Sequence, residues 1–147
     1  MTDRPLHLTS PRACYHAAMD ELHAPVSPGE LIDKLTILDI KARRISDAGK
    51  LANVQTELTA LNHCWQASPF AAFDISAERT ALLAVNERLW DIEDRIRDKE
   101  RAREFDAGFI ELARAVYIEN DERAAIKKRI NQALGSRLVE EKSYAAY

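Results

Sequence analysis

Asn86, Glu93, Arg97 and Glu100 recur at spacings of seven, four and three residues, which on a helix places them in one row. Beside that row runs an apolar one, Leu82, Val85, Leu89, Ile92 and Ile96, and Leu83 and Trp90 flank it on the far side. Polar groups hemmed in by apolar neighbours are partly withdrawn from water and must find partners. A later stretch supplies candidates. Phe109, Ala113 and Val116 begin an inward face that continues as Asn120, Lys127 and Asn131, with Arg123 at its edge, so polar residues replace apolar ones along it. A short turn near 104–106 makes the two helices antiparallel and fixes an approximate register. Glu93 then falls near Tyr117, Trp90 near Asn120, and residues 82–86 near 124–127. The expected cluster is Asn86, Trp90, Glu93, Tyr117, Asn120 and Lys127, with Asp94, Asp121 and Arg123 at its margin.

Three kinds of chemistry fit those residue types. A small-ligand site between bundle helices would use Lys127 and Arg123 for an anionic group, Trp90 and Tyr117 as stacking surfaces, and Asn86 and Asn120 to orient the ligand. An enzyme would need a base as well, and Glu93 or Asp94 is the nearby choice. The same residues also suit a satisfied buried network that fixes helix register. The sequence leaves open whether the chain is an enzyme. A metal-dependent pyrophosphohydrolase of all-helical type would converge carboxylates spaced four apart on facing helices, and Glu93 with Asp121 is a sparse version of that. Glu87, Asp91 and Asp98 point away from the apolar row, and Arg88 and Arg95 interleave with them at i,i+3 and i,i+4, the pattern of a solvated ion-pair face. Cys14, His16 and His23 match no zinc spacing. No glycine-rich phosphate loop, nucleophile elbow, HExxH or paired CxxC is present. No metal site and no cofactor are expected.

The elements that must hold this cluster begin at Ser27. Ser27 suits an N-cap, Pro28 the first helical position, and Glu30 completes a capping box. Leu31, Leu35, Leu38, Ala42 and Ile45 then share one stripe, while Ile37 and Ile40 fall on the other side. A helix apolar on two faces is either sandwiched inside its own fold or shows one face to another copy, so a homodimer through the Ile37/Ile40 side is expected. Asp33 and Arg44 lie about three turns apart, too far to pair, and each needs a partner from elsewhere.

Residues 46–49 break the helix, and from Lys50 a second one presents Leu51, Val54, Leu58, Leu61 and Trp65 on a single narrow face, as an outer helix of an αα-hairpin would. Ser68-Pro69 stops it, and Phe70 and Phe73 are expected to pin the linker to the core. Asp74 or Ser76 caps a third helix reaching about Arg103. Asp106 caps a fourth that runs to about Leu134 and ends at Gly135. The reading is an all-α antiparallel bundle of four long helices over 27–134, with an irregular N-terminal segment or short helix over 1–26 and a C-terminal docking tail over 135–147.

At 147 residues, 46% hydrophobic and 31% charged, the chain is one domain able to bury its own core. All five prolines precede residue 70, which leaves the later chain free for long helices. A net charge of −3 and the absence of a basic stripe argue against nucleic-acid binding. No segment has the apolar length to insert in a membrane, and the N-terminus has no signal-peptide core, so a cytoplasmic location is expected.

The segments SPGELIDKLTILDIK (Ser27–Lys41), LWDIEDRIR (Leu89–Arg97), FIELARAVYIENDERAAIKKRIN (Phe109–Asn131) and the terminal EEKSYAAY resemble a bacterial family of unknown function. The second and third are also similar to a related helical family with an LW–ED–R and N–RND pattern. The resemblance implies an all-helical fold and a place in cell-envelope polysaccharide synthesis, with a glycosyltransferase as a possible partner. It carries over no catalytic residue.

Overall fold

The computed structural model describes residues 21–147. Cys14, His16 and nearly all of the possible N-terminal short helix lie outside the described residues. Four α-helices and a 3₁₀ turn make up the described chain: α1 Pro28–Arg44, α2 Ala48–Ala67, the turn Pro69–Ala72, α3 Ser76–Ala102 and α4 Ala107–Ala133. The fold is an all-α bundle, as the periodicity implies.

The helix ends follow local chemistry. Ser27 Oγ accepts from the Glu30 amide at 3.2 Å, Asp47 Oδ1 from Lys50 at 2.8 Å, and Asp106 Oδ1 from Phe109 at 3.0 Å, each satisfying an amide that has no intrahelical acceptor. The cap at Asp47 starts α2 two residues before Lys50. Past α4, Gly135 takes φ 63°, and the Gly135 and Ser136 amides turn back to the Gln132 and Asn131 carbonyls, a Schellman ending. At α3 the Ser76 amide and hydroxyl both donate to Asp74 Oδ1.

Helix α1 is the sandwiched element, in contact with α2, α3 and α4. Ile32 and Leu35 join Trp65, Ile75, Leu82, Val85, Leu89, Ile126, Ile130 and Leu134 in the main apolar cluster. Ile40 is only 1% exposed and Ile37 is half-buried. The second apolar side of α1 is therefore largely covered within the chain: Ile40 is packed away, and Ile37 keeps part of its surface at the edge of a cavity. Two smaller expectations also shift. Phe70 packs on the core but Phe73 is exposed, so one ring rather than two anchors the linker. On α4 the buried apolar residues are Leu112, Ile126 and Ile130, whereas Phe109, Ala113 and Val116 are half-buried. The burial line sits about one residue round the helix because α4 packs against both α1 and α3 and faces the gap between them.

The first turn of α1 crosses close to the end of α4. A Cβ on Gly29 would lie 2.6 Å from the Lys127 carbonyl oxygen and 2.8 Å from Asn131 Oδ1, so only glycine fits. The gap is used: the Gly29 amide donates to Asn131 Oδ1 at 2.7 Å, capping α1 from another helix.

Candidate functional site

Asp33 faces inward from α1 and is nearly fully buried. A carboxylate there requires compensation. Asn86 Nδ2, from α3, donates to Asp33 Oδ1 at 2.8 Å and to Thr36 Oγ1 at 3.0 Å, and the Thr36 hydroxyl donates to the Asp33 carbonyl at 2.8 Å. Arg123 Nε, from α4, lies 3.4 Å from Asp33 Oδ2. Three helices thus meet on one carboxylate. Arg44, the other residue of α1 that needed a partner, pairs with Asp91 and lies 6.0 Å from the centre of the Trp90 ring. The pairing with Asp91 outweighs desolvation and holds its pKa above the usual arginine value.

Over this network opens a cavity of about 340 Å³ between α1, α3 and α4. Ile37, Ile40 and Leu89 give it apolar walls; Asn86, Trp90, Glu93, Asp94, Arg97, Asn120 and Arg123 supply the polar and aromatic ones. Its size is at the small end for ligand pockets, and a mostly apolar wall with a few convergent polar groups is their usual make-up. Glu93 is engaged by Arg97, one turn along α3. The Asn120 amide donates to the Val116 carbonyl at 2.9 Å, which fixes how its side chain faces the cavity.

Of the expected cluster, Asn86, Trp90, Glu93, Asp94, Asn120 and Arg123 converge on this cavity. Tyr117, Asp121 and Lys127 do not line it. Tyr117 is 40% exposed and packs on Tyr147 of the C-terminal tail, whose hydroxyl pKa is raised by burial and by the Asp121 carboxylate. Lys127 is buried but turned toward α1, where its ammonium meets Glu30 at 2.6 Å and Glu140 of the tail at 2.7 Å. Burial pulls the Lys127 pKa down, yet the bonds to Glu140 and Glu30 outweigh it and leave the group above the usual lysine value. Sequence reasoning missed Thr36 and the tail carboxylate, and it put Arg97 in the polar row but not in the cluster. The partnerless Asp33 inside an apolar helix was the one signal pointing to this network.

The acidic face of α3 is paired differently from the sequence expectation. Glu87 binds Arg43 at 2.8 Å and Asp91 binds Arg44, both from α1, while Arg88 crosses to Glu119 of α4 at 2.9 Å. Among the described residues no group of three His, Cys, Asp or Glu side chains is placed to hold a metal ion. A more open groove of about 640 Å³ lies between α3 and α4 near their connecting turn, over Ile92 and Leu112. At its rim Lys99 is tied to Glu104 at 2.8 Å and Asp106 at 2.9 Å. None of the expected site residues lies there.

A family model described as a family of unknown function, DUF6165, matches residues 22–147. The chain belongs to that family. The match takes in all four helices and runs to the last residue, so the tail is part of the family unit. No curated protein and no solved structure matches the chain. No helix among the described residues is long and apolar enough to cross a membrane.

Proposed function

We propose that this DUF6165 member is a cytoplasmic, non-catalytic binding or accessory protein that holds a small ligand with an anionic group in the cavity between α1, α3 and α4. The observation that carries this reading is the convergence of Trp90, Asn120 and Arg123 on one cavity, where Asn86 and Arg123 are both held by the buried Asp33. An indole offers a flat apolar surface and a guanidinium matches carboxylate or phosphate geometry. Asp33 holds Arg123 by its Nε, which leaves the terminal nitrogens of the fork as donors for a ligand. The resemblance to envelope-associated families suggests a role beside a glycosyltransferase in bacterial polysaccharide synthesis.

The enzyme reading draws on one fact, that Glu93 and Asp94 both line the cavity. It would make one of them the base for a phosphorylated or nucleotide-sugar substrate. Glu93→Gln decides between the two, because an enzyme loses turnover on that change while a binding protein keeps its affinity.

The binding reading is tested by a thermal-shift screen against sugar nucleotides, inorganic phosphates and divalent ions. A ligand present at a hundred times its Kd stabilises the native state by about 2.7 kcal/mol, a shift of several degrees. Trp90→Ala and Arg123→Gln should abolish the shift. A shift that survives both changes places the ligand elsewhere.

A further inference from the structure

Beyond Gly135 the chain folds back along α4. Glu140 Oε2 lies 2.7 Å from Lys127 Nζ, Glu141 lies 3.8 Å from Lys128 Nζ, Lys142 Nζ lies 3.5 Å from the Asn120 carbonyl oxygen, and the Tyr147 ring centre lies 4.9 Å from that of Tyr117. The tail starts opposite 127–128 of α4 and ends opposite 117, so it runs as an antiparallel strap. It passes Asn120, which lines the cavity, and brings Glu140 to Lys127, one helical turn along α4 from Arg123, which lines the cavity too.

Little apolar surface holds this strap down: Val139 is 49% exposed, Tyr144 83% and Tyr147 76%. Its attachments are mainly polar and open to solvent, the kind that contribute little each and weaken with salt. Lys127 is the exception. Its side chain is 7% exposed, and a buried ammonium needs an anion. Glu30 of α1 already provides one, and Asp33 faces Arg123. Within the helices, two cations and two carboxylates therefore balance. Glu140 is a third carboxylate, and the segment that brings it is not part of any helix.

We infer that Lys127 and Arg123 form a latent anion site adjoining the cavity, that it takes the carboxylate or phosphate group of a small ligand, and that Glu140 of the chain's own tail occupies it until such a ligand displaces it. The exchange is like for like, one oxyanion for another, so no charge is stranded. Ligand entry and release of the EEKSYAAY segment become one event. This inference rests on the cavity being a ligand site.

The test uses the full-length protein, inorganic pyrophosphate as the probe, calorimetric titration for affinity, and trypsin cleavage after Arg137 and Lys142 for release of the strap. Glu140→Gln removes the competing charge with little change of shape. It should tighten pyrophosphate binding roughly five- to tenfold, the range of a modest coupling between sites. In the wild type, saturating pyrophosphate should speed tail cleavage, and Lys127→Met should remove the Glu140→Gln gain. Equal affinity in wild type and Glu140→Gln, or pyrophosphate binding without faster cleavage, overturns the latent site and leaves the cavity as a ligand site. Absence of pyrophosphate binding to both proteins overturns the latent site and counts against an anionic ligand in the cavity as well.

Discussion

On one side of α1, Ile32 and Leu35 pack with Trp65, Leu82, Ile126 and Ile130 in an apolar cluster. On an adjacent face of the same helix, Asp33 and Thr36 are equally buried but bound to Asn86 and Arg123. The dry side is stabilised by removal of apolar area from water and by close packing, and any shape-matched hydrocarbon would serve. The wet side contributes little net stability, since desolvating its groups cancels most of what their pairing returns. What it does provide is a fixed register between α1, α3 and α4 and a cavity whose walls carry donors and acceptors. A bundle that needed only to fold could have used leucines at both places.

The largest expected effect lies on the dry side. Leu35→Ala should cost about 2–5 kcal/mol by loss of buried area and creation of a cavity, measured by denaturant unfolding. Thr36→Ala removes a smaller, hydrogen-bonded group, and an equal loss there would erase the distinction between the two sides. Next comes the wet side. Asn86→Leu leaves Asp33 with Arg123 alone and should cost about 1–3 kcal/mol. Adding Asp33→Leu to the same chain should recover most of that loss, because two apolar groups replace a broken pair. A double-mutant cycle measures the recovery, and additive losses would mean the pair is a net source of stability.

The smallest effect concerns the strap. Lys127 holds the Glu140 carboxyl below its usual range. A carboxylate depressed in the docked state contributes fully above its free value, about 4.3, and loses that contribution as pH falls through the docked value. The cations that face it are Lys127, Arg123 and Lys142, and Glu30 shares Lys127. Amide exchange of residues 136–147 should therefore rise on acidification below about pH 4.3, ahead of global unfolding. Exchange that rises only together with the core amides would mean the tail is an integral part of the bundle.

The helix ends were legible from the chain because caps act over three residues: Ser27 with Glu30, Asp106 with Phe109, and Gly135 after Leu134 involve no distant partner. Most of the cavity was legible too, since a short α3–α4 turn fixes register and a row of polar residues among apolar ones has to face something. Lys127 does not line the cavity because two groups the sequence spacing could not place, Glu30 from α1 and Glu140 from the tail, hold it to one side. The acidic face of α3 shows the same limit. Glu87 and Asp91 have arginines within reach on their own helix, yet Arg43 and Arg44 of α1 take them. Exposed pairs differ by less than about 1 kcal/mol, so sequence spacing cannot choose between them.

Four helices, their stops and the turns between them follow from the residues in order, because propensity, capping and periodicity are local. So does the fact that α1 is apolar on two sides. What lies against the second side depends on tertiary packing, which brings α3, α4 and a small cavity to it. The packing also decided which carboxylate meets which cation. Those choices depend on helix crossing and register, which come from the packing of side chains far apart in the chain.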